Sequence, residues 1–173
     1  MLIPYSKIVG AKIVELRGQT LLGEVCDLVI SKTSMTLMGV TLRNTTFFPS
    51  PVRVISATDI EEFTPIEVTM IVNHDEVIEE LNETIRLKNA YDQGFTGIGQ
   101  TVVTKSGKHI GKVYDYLITN DDFRIQKFYT KSLLSDRIIP IKSVIGFEKK
   151  KLIIKDDFAT LKMVMPIAET SGA

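Results

Sequence analysis

Gly10-Ala-Lys-Ile-Val-Glu-Leu-Arg-Gly18 and Gly99-Gln-Thr-Val-Val-Thr-Lys-Ser-Gly107 open the same pattern twice, with the glycines eight positions apart in each. Next come Gly23-Glu-Val25-Cys-Asp27-Leu-Val-Ile30 and Gly111-Lys-Val113-Tyr-Asp115-Tyr-Leu-Ile118. The first stretch holds one more residue between Gly18 and Gly23 than the second holds between Gly107 and Gly111. Leu37 and Val40 then correspond to Ile125 and Phe128 without a gap. After a loop four residues longer in the first stretch, Arg53, Ile55, Ile60 and Phe63 correspond to Arg137, Ile139, Val144 and Phe147. Three glycines, a Val-x-Asp and an Arg-x-Ile recurring in one order read as an internal duplication.

The local patterns are those of strands. Lys12–Leu16 and Thr101–Thr104 are short β-prone runs, each ending at a turn: Arg17-Gly18-Gln19 in one, Lys105-Ser106-Gly107-Lys108 in the other. Glycine takes the positive φ that such turns need. Gly23–Ile30 and Gly111–Thr119 are the next strands, followed by Met35–Leu42 and Arg124–Thr130. Ile138-Ile139-Pro140-Ile141 fits only an edge or a strand end, because proline donates no ladder hydrogen bond. Glu67–Val72 and Lys151–Lys155 close the two stretches. Five or six short strands with glycine turns predict a small β-barrel in each stretch.

Between them, Asn73-His74-Asp75-Glu76 reads as a helix N-cap with Glu three residues on. Val77, Ile78, Leu81, Ile85 and Leu87 continue with roughly helical spacing, and the helix is expected to end before Asp92-Gln93-Gly94. A second short helix is expected after Asp157, with Phe158, Leu161 and Met165 on one face, and Thr170–Ala173 as a disordered tail. The organisation expected is therefore mainly β: a repeat over 1–72, a helical linker over 73–98, a repeat over 99–156, and a short helix and tail over 157–173. A core of ~60–70 residues is marginal alone. The two units are thus expected to pack as a pseudo-twofold pair in a monomer, or the chain to form a homodimer.

Lys plus Arg and Asp plus Glu are both 21 in the 173 residues, so net charge points to no partner. Its distribution is uneven: the balance is −1 over residues 1–72, −4 over 73–98 and +5 over 99–173. The single cysteine, Cys26, has no internal disulfide partner, which suits a reducing compartment. Met1-Leu2-Ile3-Pro4-Tyr5-Ser6-Lys7 does not read as a signal peptide. No apolar run approaches the ~20 residues of a membrane-spanning helix, so a cytoplasmic protein is expected.

The pattern Gly–(Gly turn)–Gly-x-Val-x-Asp-x-x-Ile, then Arg-x-Ile-Pro-x-x-x-Val, resembles the PRC-barrel module. That module is named after the H subunit of the photosynthetic reaction centre and also forms the C-terminal domain of the ribosome maturation factor that binds a small-subunit ribosomal protein. Residues Ile98–Lys155 carry the resemblance best. Residues Ile8–Val72 carry it more loosely, Ser56-Ala57-Thr58-Asp59 standing in place of the proline segment. What the resemblance implies is a fold and a binding role.

No catalytic constellation is found. Asp27 and Asp115 occupy the same place in both repeats, without a second carboxylate or histidine at motif spacing, and read as caps of backbone N–H groups. His74 and His109 read as exposed surface residues. Cys26 reads as a small buried residue, since its nearest charges, Glu24 and Asp27, are negative and disfavour a thiolate. Gly107–Val113 lacks the Ser/Thr and the helix of a phosphate loop, and Gly94-Phe-Thr-Gly97-Ile-Gly99 has the wrong glycine order for a dinucleotide site. One cysteine and two distant histidines make no zinc site, and no cofactor is expected. Lys105, Lys108 and Lys112, with Lys149, Lys150 and Lys151, form a basic face that would meet an anionic partner, the two clusters converging at one barrel end. Without a partner they read as solvated turns or edge-blocking lysines. The reading is thus a non-catalytic adaptor that engages another protein or assembly. The alternative is an RNA-associated factor in ribosome maturation or RNA processing, with phosphate contacts through those lysines.

Overall fold

The computed structural model describes residues 1–17, 19–45, 49–65, 67–133 and 135–157. Gly18 and the helix and tail expected beyond Asp157 lie outside the described residues. The chain is mainly β. After β1 (Leu2–Pro4) and a one-turn helix, α1 (Tyr5–Ile8), come β2 (Lys12–Glu15), β3 (Leu21–Ser31), β4 (Thr36–Leu42), β5 (Arg53–Ser56), β6 (Ile60–Phe63) and β7 (Thr69–Val72). A connecting segment holds β8 (Glu79–Glu80) and α2 (Ile85–Asp92). The second half holds β9 (Thr101–Thr104), β10 (His109–Thr119), β11 (Ile125–Lys131), β12 (Asp136–Pro140), β13 (Val144–Glu148) and β14 (Lys151–Ile154).

The strands form two sheets of seven, in the orders β6-β7-β2-β3-β4-β5-β8 and β12-β11-β10-β9-β14-β13, with β1 added beside β10. Setting β1 and β8 aside, the two orders are the same. In each, the first and last strands of the half pair in parallel, β2 with β7 and β9 with β14. In each, one turn of 3-10 helix, Ala57–Asp59 or Ile141–Ser143, joins strands at opposite ends of the sheet. A flat sheet would hold those end strands about 24 Å apart. The four Cα steps from Ser56 to Ile60 reach at most about 14 Å. Both sheets are therefore strongly curled. Among the described residues no pairing joins β5 to β6 or β12 to β13, so the hydrogen bonding closes neither sheet into the expected ring. Pro140 ends β12, the edge strand, as the missing N–H requires.

The connecting segment departs from the expected helix. Residues 75–77 and 81–83 are single 3-10 turns, and His74 at the first makes no side-chain cap bond. The edge of β5 takes Glu79–Glu80 as a partner strand, with Arg53 opposite Glu80 and Val54 opposite Glu79. Val77 and Leu81 are buried as anchors on either side of that strand, so their spacing of four serves an extended piece. The helix begins only at Ile85, which is 74% exposed, and buries Leu87 and Ala90. Gly39 lets Leu87 in: a Cβ there would lie 2.9 Å from Leu87 Cδ2 and 2.5 Å from the Ile55 carbonyl oxygen.

One continuous core runs through both halves, from Ile13, Val25, Phe63 and Met70 to Val102, Tyr116, Phe128 and Leu152. The contact between halves is reciprocal. Leu37 N–H donates to the Phe123 carbonyl at 2.9 Å, and Ile125 N–H donates to the Met35 carbonyl at 2.8 Å. Leu37 corresponds to Ile125 and Met35 to Phe123, so each bond is the other with the halves exchanged, as in an isologous contact. Thr36 bridges Arg124, its own counterpart. Met35 and Phe123 share a left-handed backbone, φ 56° and 51°, which turns each chain towards the other half. Each lead-in helix also crosses over: α1, ahead of the first half, packs on β10, and α2, ahead of the second, packs on β3.

Asn120 adds two bonds with no counterpart among the described residues. Its Oδ1 accepts the Phe63 N–H at 2.9 Å and its Nδ2 donates to the Phe63 carbonyl at 3.2 Å. Asn120→Ala leaves both groups of Phe63 without this partner. It is expected to lower unfolding free energy by about 1–3 kcal/mol, read as a lower urea midpoint at unchanged slope.

Candidate binding groove on the second sheet

β3 and β10 slip by one residue at the same place, between Val25 and Asp27 and between Val113 and Asp115. The inserted residues are Cys26 and Tyr114, and both are exposed. The expectation of a buried Cys26 is thereby corrected: strict alternation fails where a bulge puts two residues opposite one. Each aspartate holds its bulge. Asp27 Oδ1 accepts the Leu28 N–H at 2.7 Å, and Asp115 Oδ1 accepts the Tyr116 N–H at 2.8 Å.

The same carboxylates bind α1. The Tyr5 hydroxyl donates to Asp27 at 3.0 Å. Ser6 donates its N–H and hydroxyl to Asp115 at 3.2 and 2.6 Å. Two neighbouring residues thus bolt the bulges of both halves together. Tyr5 and Tyr116 rings lie 5.0 Å apart. Burial, then the Asp27 carboxylate, pushes the Tyr5 phenol well above its ordinary value. Burial, then Tyr5, does the same to Tyr116. His74 and His109 are both exposed. Among the described residues no three His, Cys, Asp or Glu stand together as metal ligands.

Beside the second bulge lies a groove of about 850 Å³. Lys108 and Lys112 from the β10 side, Lys131 from β11 and Arg137 from β12 supply its charge. Ile110, Tyr114 and Leu133 supply its apolar wall. Gly111 lets the strands close there: a Cβ would lie 2.5 Å from the Lys131 carbonyl oxygen. Burial and the Asp136 carboxylate hold the Tyr114 phenol above its ordinary value. Tyr114 also neighbours Tyr129, at 6.1 Å, over which Lys127 sits at 5.8 Å.

The ladder register places the other lysines. Lys131 is opposite Lys112, Lys112 opposite Thr101, and Thr101 opposite Lys151, with Asp136 and Glu148 at the two ends of the row. Partners in register share a face, so three lysines lie in one row between two acids. Lys149 and Lys150 form the turn into β14, beside Thr101, whose N–H donates to the Lys150 carbonyl at 3.1 Å. Lys105 and Lys108 lie at the other end of β9, where Lys105 N–H donates to the Ile154 carbonyl at 2.9 Å. Of the two clusters expected to converge, Lys112 thus shares a row with Lys151, while Lys105 and Lys108 lie apart from Lys149–Lys151 by the length of β9, about 13 Å. In the first half the row is Arg43, Glu24, Lys12 and Thr69, with Arg43 and Glu24 paired at 3.5 Å.

Lys131, Tyr114 and Leu133 escaped the sequence reading. The signal for Lys131 was the bulge: counting one extra residue at Tyr114 puts Lys131 opposite Lys112.

Asp115→Ala is expected to cost about 1–3 kcal/mol, because the Tyr116 N–H and Ser6 lose their acceptor; chemical denaturation reads this directly. Raised phenols make stability fall in alkali. In the unfolded chain tyrosines ionise near about 10. The contribution of Tyr5 and Tyr116 is therefore complete below about pH 10 and is lost as pH rises from there towards their folded values. Tyr5→Phe and Tyr116→Phe should each flatten the decline of the urea midpoint above pH 10. No protein-family model and no curated protein matches this sequence.

Proposed function

We propose that this chain is a non-catalytic adaptor of two PRC-barrel-type units, over 1–72 and 99–156, that engages another protein through the groove of the second unit. The groove carries the reading: it joins four cationic side chains to an apolar wall, the composition of a recognition surface. The matching strand orders, matching bulges and reciprocal contacts support the tandem PRC-barrel reading and a pseudo-twofold arrangement within a monomer. Engagement of both aspartates with backbone and hydroxyl donors supports a structural role for them. No helix among the described residues is long and apolar enough to cross a membrane.

The lysine row and the neighbouring tyrosines favour a second reading, an RNA-associated factor in ribosome maturation or RNA processing. Against it stands the apolar wall of Ile110, Tyr114 and Leu133.

The test is a photo-crosslinking side chain at position 114, used in native cells, with position 26, the same bulge site of the first half, as control. Protease-sensitive adducts at 114 and none at 26 are expected. Nuclease-sensitive adducts would transfer the groove to RNA, and absence of adducts at 114 would remove it as a binding site.

A further inference from the structure

The first half contains a template for what its counterpart would bind. Along the outer edge of β5 lies the acidic strand Glu79–Glu80, antiparallel, with Glu80 opposite Arg53. The Leu81 N–H continues the ladder to the Val52 carbonyl at 2.8 Å. Val77 and Leu81 on either side are buried, 4% and 5% exposed, while the two glutamates face solvent. The pattern is apolar–acid–acid–apolar laid on an arginine-bearing edge.

β12 is the corresponding edge. Arg137 and Ile139 answer Arg53 and Ile55, and β12 lies on β11 as β5 lies on β4. Among the described residues β12 ends its sheet, with no strand on its outer side. Its surroundings are more cationic than those of β5. Arg137 belongs both to this edge and to the groove wall, where Lys131 and Lys112 stand directly opposite each other. Like charges directly opposite each other repel, and Asp136, opposite Lys131 on its other side, leaves Lys112 without an acid beside it on β11. The equivalent place in the first half is already neutralised by the Arg43–Glu24 pair.

We propose that the β12 edge and the adjoining groove take an extended acidic segment of a partner protein, of the pattern apolar–acid–acid–apolar, added antiparallel to β12. One of its two acids faces Arg137, the other, on the opposite face of the added strand, reaches across Asp136 to Lys131 in the row it shares with Lys112, and its apolar flanks lie against Ile110, Tyr114 and Leu133. Strand addition supplies main-chain hydrogen bonds and the groove supplies selection for acids. The assignment rests on the protein-binding reading of the groove and names the partner's chemistry.

The test is fluorescence anisotropy of the full chain with a labelled peptide, Asp-Glu-Val-Ile-Glu-Glu-Leu-Asn-Glu. Controls are the same peptide with every acid amidated and an oligouridine of twelve nucleotides. Saturable binding of the acidic peptide alone is expected, weakening as salt rises. Lys112→Glu with Lys131→Glu should weaken it roughly tenfold or more, while Lys12→Glu in the first half leaves it unchanged. Both variants keep the wild-type melting curve as a check on folding. Peptide binding indifferent to the double reversal would place the peptide on β5 by exchange with Glu79–Glu80 and overturn the assignment. Binding of oligouridine in preference to the peptide would overturn it in favour of RNA. A peptide of residues 158–173 that binds more tightly than the acidic peptide would give the edge to the chain's own C-terminal segment and overturn it as well. Loss of peptide binding alongside protein adducts at position 114 defeats the acidic-segment assignment alone. Loss of both defeats the adaptor reading too.

Discussion

One inserted residue in the longest strand of each half, held by an aspartate, governs how the whole chain is put together. A bulge reverses which side chains face inward, so Val25 and Val113 lie in the core on one side of it while Leu28 and Tyr116 lie there on the other. It also bends the strand, which a six-strand sheet needs if a three-residue turn is to join its two ends. The carboxylate that caps the bulge keeps acceptor capacity, because a carboxylate offers about four lone-pair sites and one backbone N–H uses only one. That capacity receives Tyr5 and Ser6. Curl, core register and the joint between halves therefore depend on the same two side chains.

The joint adds burial to two units that are each small. A unit of this size buries only about 60% of the surface its unfolded chain exposes. The remaining apolar surface is covered by exchange: the N-terminal strand and α1 lie on the second sheet, and α2 lies on the first. The Met35–Leu37 and Phe123–Ile125 bonds then fix the angle between halves, since two reciprocal hydrogen bonds about one centre leave little freedom of rotation. Phe63 packing edge-on to Phe123 at 5.8 Å, with Asn120 clamping the Phe63 backbone, adds a side contact that breaks the symmetry.

Glycines, Val-x-Asp and Arg-x-Ile were legible in the sequence because each answers a backbone requirement that any copy of the fold must meet. Gly10, Gly99 and Gly107 take φ of 85°, 72° and 90°, and Gly111 admits the Lys131 carbonyl. Arg53 reaches back to the Arg43 carbonyl at 3.4 Å, tying two strand ends. The linker was misread for a physical reason. Helical spacing of Val77, Leu81 and Ile85 is also the spacing of two anchors around a short strand, and the unpaired edge of β5 decided between them. Cys26 was misread because a bulge has no signature in alternation itself. The basic face was half legible: the lysines were visible, but which of them share a row depends on ladder register, and a parallel β9–β14 pairing places a hairpin tip and a strand start at opposite ends.

The two halves share a backbone and differ in what that backbone displays. At one row the first half sets Arg43 against Glu24, while the second sets Lys131 against Lys112. At one edge the first half is covered by Glu79–Glu80, whereas the second ends at β12 with Arg137. Both differences act in the same direction. The first half pairs Arg43 with Glu24 and covers the β5 edge with Glu79–Glu80. The second sets Lys131 against Lys112, with Asp136 beyond Lys131, and among the described residues leaves the outer edge of β12 without a partner strand. The acidic connecting segment, which gives residues 73–98 a balance of −4, is accounted for by the same logic. Its glutamates face water beyond a covered arginine-bearing edge, the electrostatic complement of the surface displayed by the other half. The two copies of the scaffold thus differ in side chains at a few register positions while their strand orders stay the same.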